Sequence, residues 1–260
     1  MTILDQLARH ASERVKAAKE TMSPDEIISR AQALPTGDFA FEQALRGEGM
    51  SFICECKKAS PSKGVIAADY PYLDIAKEYE AAGADGISVL TEPGWFLGCD
   101  SHLKEITERA GIPCLRKDFT VDAYMIYEAR ILGAEAVLLI CSLLDPETMR
   151  AYMGICDTLG ISALVEAHDE NEVKTAVGAG ARVIGVNNRN LRDFSVNMDN
   201  SRRLRELVPD DVIFVSESGV GSAGDVRKLR EIGVDAVLIG ETLMRAEDKR
   251  AKLDELRAAP

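Results

Sequence analysis

The chain is short of positive charge: 31 Lys and Arg stand against 43 Asp and Glu, a formal net charge of -12. A surface of that sign offers no basic stripe for a nucleic-acid backbone or an anionic membrane. Any anionic ligand must therefore be held by locally placed cations and backbone amides. Aromatic residues are scarce at 5%, with one Trp. No apolar run approaches the roughly 20 residues of a membrane span. Met1 to Lys19 is charged throughout and lacks the apolar stretch of a secretory leader. The six cysteines (54, 56, 99, 114, 141 and 156) match neither zinc-ligand spacing nor a CxxC pair, so they read as free thiols in a reducing, cytoplasmic compartment. No GxGxxG follows the first strand-like run, which weighs against a dinucleotide-binding sheet. What remains is ordinary globular material, 46% hydrophobic and 28% charged over 260 residues, enough for one large domain and its core.

Residues 1–48 read as a helical extension. Ile3, Leu4, Leu7, Ala8, Ala11 and Val15 recur at helical spacing. Ser23-Pro24-Asp25-Glu26 reads as an N-cap serine, a proline at N1 and a capping-box glutamate at N3. A further short helix is expected around Phe39 to Arg46. These apolar stripes are too short to stand alone and should pack on the rest of the chain. From Ser51 onward, strand and helix alternate. The expected strands are 51–57, 86–91, 113–118, 135–141, 161–167, 182–188, 212–217 and 235–240, with amphipathic segments such as Leu73 to Ala82, Ala123 to Leu132 and Ala223 to Ile232 between them. Ala82-Gly83, Leu132-Gly133, Ala179-Gly180 and Ile232-Gly233 each end a helix just before an apolar run, the signature of a glycine C-cap turning into a strand. About eight such units in some 200 residues predict an α/β fold, a (β/α)8 TIM barrel with an N-terminal helical extension.

In such a barrel the chemistry sits at the C-terminal ends of the strands, and here those ends are polar. In SFICECKKASPSKG (51–64), strand alternation puts Ile53, Glu55 and Lys57 on one face and Phe52, Cys54 and Cys56 on the other. Taken alone, Glu55 and Lys57 could be an internal ion pair that merely fills space. But Lys117 ends the third strand, Glu166 the fifth, Asn187 and Arg189 the sixth, and Glu217 the seventh. A rim lined only for stability should be less charged, since each poorly paired buried ion costs several kcal/mol. Ser218-Gly219 and Gly240-Glu241 place small residues where backbone amides can approach an anion, a pattern suited to a phosphate cup.

Together these motifs resemble the indole-3-glycerol phosphate synthase family. The resemblance runs from ILDQLARHASERV through ECKKASPSKG, GISVLTEPGWFLG, LRKDFTVDAYMIYEAR, LVEAH, GVNNRNL and SESGV to VLIGETLM. It implies ring closure of 1-(2-carboxyphenylamino)-1-deoxyribulose 5-phosphate with loss of carbon dioxide and water. Carried over by position, Lys117 is the general acid and Glu166 the general base, with Glu55, Lys57 and Asn187 completing the catalytic set. Ser60 and Arg189 would hold the anthranilate carboxylate. Trp95, Phe96 and Phe119 would flank the aromatic ring, and Glu217 would also bind substrate. Ser218, Gly219, Gly240 and Glu241 would hold phosphate. The resemblance implies no cofactor and no metal, a small sugar-phosphate substrate, no nucleic-acid or membrane partner, and a monomer or weak homodimer. Lys58 stands where arginine is usual and lies on the outward face, where little effect is expected. His102 and His168 have no part in this chemistry and read as surface or packing residues. The rival readings are another sugar-phosphate barrel, such as the isomerase one step earlier, and a non-catalytic barrel that binds a phosphometabolite.

Overall fold

The computed structural model describes residues 2–258; of the expected span, positions 1, 259 and 260 lie outside the described residues. The first strand, β1 (Ser51–Cys56), leads into a two-stranded antiparallel ribbon, β2 (Ala59–Ser60) and β3 (Gly64–Val65). Then come β4 (Gly86–Leu90), β5 (Cys114–Lys117), β6 (Ala136–Ile140), β7 (Ser162–Ala167), β8 (Val183–Asn187), β9 (Ile213–Glu217) and β10 (Ala236–Ile239). Among the described residues, β1 and β4 to β10 form a closed barrel, each strand parallel to its neighbours, with β1 bonded to both β4 and β10. Every expected strand is present within one residue at either end. The ribbon was not foreseen.

Helices alternate with these strands. After β3 come α4 (Tyr72–Ala81), α5 (Asp100–Thr107), α6 (Tyr124–Ile131), α7 (Pro146–Leu159) and α8 (Glu170–Ala179). α9 (Asp199–Arg205), α10 (Ala223–Glu231), α11 (Glu241–Arg245) and α12 (Lys249–Arg257) complete the ring. The expected glycine turns are found: Gly83, Gly133, Gly180 and Gly233 all have φ between 75 and 89°, a region that a side chain would disfavour. No helix among the described residues is long and apolar enough to cross a membrane.

Strand alternation sorts the core into two parts. Phe52, Cys54, Cys56, Val89, Val165 and Val237 face outward into the layer beneath the helices. Ile53, Leu115, Leu164, Val215 and Leu238 fill the barrel interior. The extension supplies α1 (Ile3–Thr21), α2 (Pro24–Gln32) and α3 (Ala40–Leu45). Phe41 and Leu45 of α3 are fully buried and join the interior cluster. They close the N-terminal end of the barrel, where Phe41 packs against Gly86 at the start of β4. Burying a side chain of this size typically stabilises by about 1.5–3 kcal/mol, so α3 acts as a plug rather than an appendage. Ser23 caps α2 as expected, accepting from the Glu26 amide. The reciprocal half of the expected capping box is not formed, because the Glu26 carboxylate accepts from Arg30 at 2.7 Å instead. Complete capping boxes lie at Thr2 and Asp5, at the start of α1, and at Ser222 and Asp225, at the start of α10.

Candidate active site

At the opposite end of the barrel, the C-terminal ends of the strands open into a cavity of about 710 Å³. The same alternation that buries Ile53, Leu115 and Leu164 carries the next inward positions, Glu55, Lys117 and Glu166, into this cavity, and Glu217 and Asn187 join them. Lys117 is the hub. Its Nζ lies 3.2 Å from Glu217 Oε2 and 3.6 Å from Glu166 Oε2, and its side chain is only 13% exposed. Burial opposes its charge, but the carboxylates of Glu217, Glu166 and Glu55 outweigh burial and hold its pKa above the ordinary lysine value. Lys117 is therefore an ammonium at neutral pH.

The carboxylates around it divide the charge unequally. Burial would raise Glu166, but Lys117, His168 and Asn187 favour its ionised form and hold its pKa below the usual carboxylate range. Burial pushes Glu217 up, helped by Glu166 and Glu55 and only partly opposed by Lys117. Neither Glu217 oxygen has an aligned hydrogen-bond donor among the described residues. Burial also penalises Glu55, yet Lys57 and Lys117 lower it overall, and Lys57 Nζ donates to Glu55 Oε1 at 2.5 Å. Two strand glycines make room for these groups. A Cβ at Gly185 would collide with Glu217 Oε1, and one at Gly240 with Glu55 Oε1 and, at 2.7 Å, with Lys57 Nζ.

Asn187 is oriented by its neighbours. Its Oδ1 accepts from the Arg189 amide and from Ser218 Oγ, both at 3.0 Å, which leaves its amide nitrogen for Glu166. Ser218 has φ 66° and Gly219 φ 100°, and both line the cavity with Gly240 and Glu241. Asn188, absent from the expected set, props this loop from beneath. It is buried, donating to Ser216 Oγ and to the Ser218 carbonyl and accepting from Ser201. The Glu241 carboxylate is engaged by Arg245 at 3.0 Å and Lys63 at 3.5 Å. Lys63 itself lines the cavity.

Ser60 and Arg189 line the cavity, as do Phe96 and Phe119, whose ring centroids are 6.0 Å apart. Trp95 does not. Its ring packs edge-on against His10 of α1 at 5.5 Å, so the expectation that it flanks the substrate ring is corrected. The reason is Glu92, which is buried and accepts from the amides of Gly94, Trp95 and Phe96. That turn points Phe96 inward and leaves Trp95 outside. The expectation for His168 is corrected too. Its Nε2 lies 3.2 Å from Glu166 Oε1 and its Nδ1 3.0 Å from Glu172 Oε2. His102 does pack, against the rings of Tyr70 and Tyr72.

The sequence did not disclose where α1 sits. It leans over the cavity mouth, and Ile3, Leu4 and Leu7 form part of the cavity wall. Polar contacts anchor it there. His10 Nδ1 lies 2.8 Å from Glu92, Arg14 grips Asp118 with two hydrogen bonds of 3.0 and 2.6 Å, and Lys19 meets Asp122 at 2.6 Å. Asp118 is buried and also accepts from Thr91 Oγ1 at 2.6 Å. Burial would raise its pKa, but Arg14, Arg116 and Thr91 bring it below the ordinary value. The residue next to Lys117 in sequence is thus tied directly to the helix above the mouth.

Comparison with known proteins follows the same line. A family model described as indole-3-glycerol phosphate synthase matches residues 4–256. The indole-3-glycerol phosphate synthase of Ruminiclostridium cellulolyticum is 57% identical over 258 residues, covering 99% of this chain and 99% of its own. That of Endomicrobium trichonymphae is 49% identical over 256 residues, covering 98% and 99%. Among solved structures, 3-hexulose-6-phosphate synthase from Salmonella typhimurium superposes with a TM-score of 0.64 at 16% identity, covering 80% of this chain and 96% of its own. At that identity the likeness speaks only for the barrel.

Proposed function

The chain belongs to the indole-3-glycerol phosphate synthase family, and from that premise we propose that Lys117 and Glu166 are the general acid and general base of its ring closure. The enzyme is a carboxy-lyase of tryptophan biosynthesis, converting 1-(2-carboxyphenylamino)-1-deoxyribulose 5-phosphate to indole-3-glycerol phosphate. The observation that carries the role assignment is the pairing of a buried ammonium with a buried carboxylate 3.6 Å away in one cavity, whose wall also bears the Ser218-Gly219 and Gly240-Glu241 turns.

In the first step the aromatic carbon that bears the carboxylate attacks the substrate carbonyl. The Lys117 ammonium stabilises the charge growing on oxygen and delivers the proton. Although neighbouring carboxylates make it a weaker acid than a free lysine, the oxygen becomes an alkoxide, which is far more basic than an amine. Carbon dioxide then departs and restores the aromatic ring. Dehydration follows: the C–O bond breaks, the Lys57 ammonium supplies the proton with which the hydroxyl leaves as water, and Glu166 takes a proton from the new ring. Each such group is typically worth about 10²- to 10⁴-fold in rate. Glu55 and Asn187 orient the pair, Lys57 assists from the far side of Glu55, and the unsatisfied oxygens of Glu217 are suited to accept from substrate donors. Phosphate in the cup and the anthranilate carboxylate at Ser60 and Arg189 would hold the flexible chain by both ends, and such orientation contributes several kcal/mol in favourable cases. The test is incubation of purified protein with the carboxyphenylamino ribulose phosphate while indole fluorescence is followed. Lys117→Ala and Glu166→Gln are each expected to lower the rate by at least 10²-fold. Near-normal turnover in both would refute the assignment.

A further inference from the structure

His168 lies outside the chemistry described above, yet its ring is held more firmly than packing requires. It stands two residues beyond Glu166, just past β7, and four before Glu172 of α8. Its backbone amide donates to Glu172 Oε2 at 2.7 Å and its carbonyl accepts from Asn200 Nδ2 at 3.1 Å. Between these anchors, Nδ1 hydrogen-bonds Glu172 Oε2 at 3.0 Å, and Nε2 lies 3.2 Å from Glu166 Oε1, an ion-pair contact without aligned hydrogen-bond geometry. A neutral imidazole carries one N–H and one lone pair, so it would aim that lone pair at one of the two carboxylates. Only the imidazolium offers a proton to both.

We propose that His168 is a positioning residue: an imidazolium clamped between Glu166 and Glu172, which holds the Glu166 carboxylate ionised and aimed into the cavity. The inference rests on Glu166 being the base. Lys117 alone does not suffice, because it faces Glu166 Oε2 at 3.6 Å while lying closer to Glu217, at 3.2 Å. It is also discharged when it acts as the acid, just before a base is needed. His168 faces the other Glu166 oxygen at 3.2 Å and keeps its charge through that step.

The surrounding charges agree. Glu166 also faces Glu217 of β9 and Glu55 of β1. Asp169 and the Cys141 thiol lie near the outer end of the clamp, beside Glu172. Burial alone would make the imidazole less basic, but Glu166 and Glu172 outweigh it and raise its pKa to about 10.

The experiment is NMR titration of the three histidine side chains in the wild type, Glu166→Gln and Glu172→Gln, with kcat measured against pH for His168→Gln. The His168 ring is expected to stay doubly protonated through pH 8 in the wild type, and to titrate at least one unit lower in each glutamate variant. His168→Gln should move the acidic limb of kcat upward by about one unit, a tenfold loss on that limb, with KM changed less than threefold. A wild-type His168 that is neutral at pH 7, or an activity loss in His168→Gln that is uniform across pH, would overturn the proposal. The NMR result does not depend on turnover, so it stands apart from the assignment of Glu166 as base, which the rate of Glu166→Gln tests separately.

Discussion

A single methyl group added at Gly185 should damage catalysis more than it damages the fold. The φ of Gly185 is not among the positive values, so alanine is compatible with the backbone. By restricting the unfolded chain, such a change typically gains about 0.4–1 kcal/mol. Against this, the new Cβ would overlap Glu217 Oε1 and sit 3.1 Å from Leu164 Cδ1. Overpacking of that kind costs typically about 1–3 kcal/mol, and the flexible end of Glu217 can yield more easily than Leu164. A net loss of roughly 1–2 kcal/mol is expected, or about 2–8 °C in Tm for a chain of this length. Glu217, however, cannot move without disturbing Lys117, 3.2 Å away, and misplacing a reacting group by about 1 Å can cost on the order of 10²-fold in rate. Gly185→Ala should therefore melt as a folded, cooperative protein while kcat falls by roughly 10²-fold. Thermal melts and steady-state indole fluorescence give both numbers. A variant within threefold of wild-type kcat would refute the claim that Gly185 is there to seat Glu217.

Arg14→Ala should loosen α1 from the mouth and raise KM more than it lowers kcat, because Leu4 and Leu7 lie on the cavity wall while the proton-transfer groups do not lie on α1. Losing one partner of a buried pair costs about 3–5 kcal/mol. Asp118 keeps Thr91 and its own loop amide at Phe119 and Arg14 is 22% exposed, so roughly 1–3 kcal/mol is expected in urea unfolding. The folded pKa of Asp118 lies below its ordinary 3.8, so its stabilisation is present above that value and disappears as pH falls through the folded pKa. Asp118→Asn should accordingly flatten the acid side of the stability profile. Glu217 has the opposite sign: its folded pKa lies above 4.5, so stability falls as pH rises from 4.5 through the folded value. Glu217→Gln should remove that decline, seen as a Tm at pH 8 no lower than at pH 5, and lower turnover at the same time.

Much of this architecture is legible in the sequence, and for identifiable reasons. The apolar runs of the barrel are bounded by glycine turns such as Gly83 and Gly180, and strand alternation alone assigns Ile53, Glu55 and Lys57 to one face. That placed Lys117, Glu166 and Glu217 on a common rim. Periodicity does not specify long-range docking, so the position of α1 over the mouth, through Arg14–Asp118 and His10–Glu92, was not readable. Nor does it constrain loops. Trp95 and Phe96 look equivalent in GWFLG, and only the amide bonds to the Glu92 carboxylate send one inward and the other out. His168 does carry a usable signal in the sequence. It is two residues beyond Glu166, and four before Glu172 at a helix start, so both carboxylates are within reach of one ring. Asn188 gave no such sign, since its partners Ser201 and Ser216 come together only through the closed sheet.

The most direct test of the central claim separates the two proton transfers within one turnover. Enzyme in excess over substrate is quenched over time, and released carbon dioxide and indole product are measured in the same samples. Glu166→Gln should release carbon dioxide while forming little indole, because closure and decarboxylation precede the step that needs the base. Lys117→Ala should release neither. Carbon dioxide released by Lys117→Ala at the wild-type rate, or indole formed by Glu166→Gln in step with its carbon dioxide, would contradict the division of acid and base across the barrel mouth.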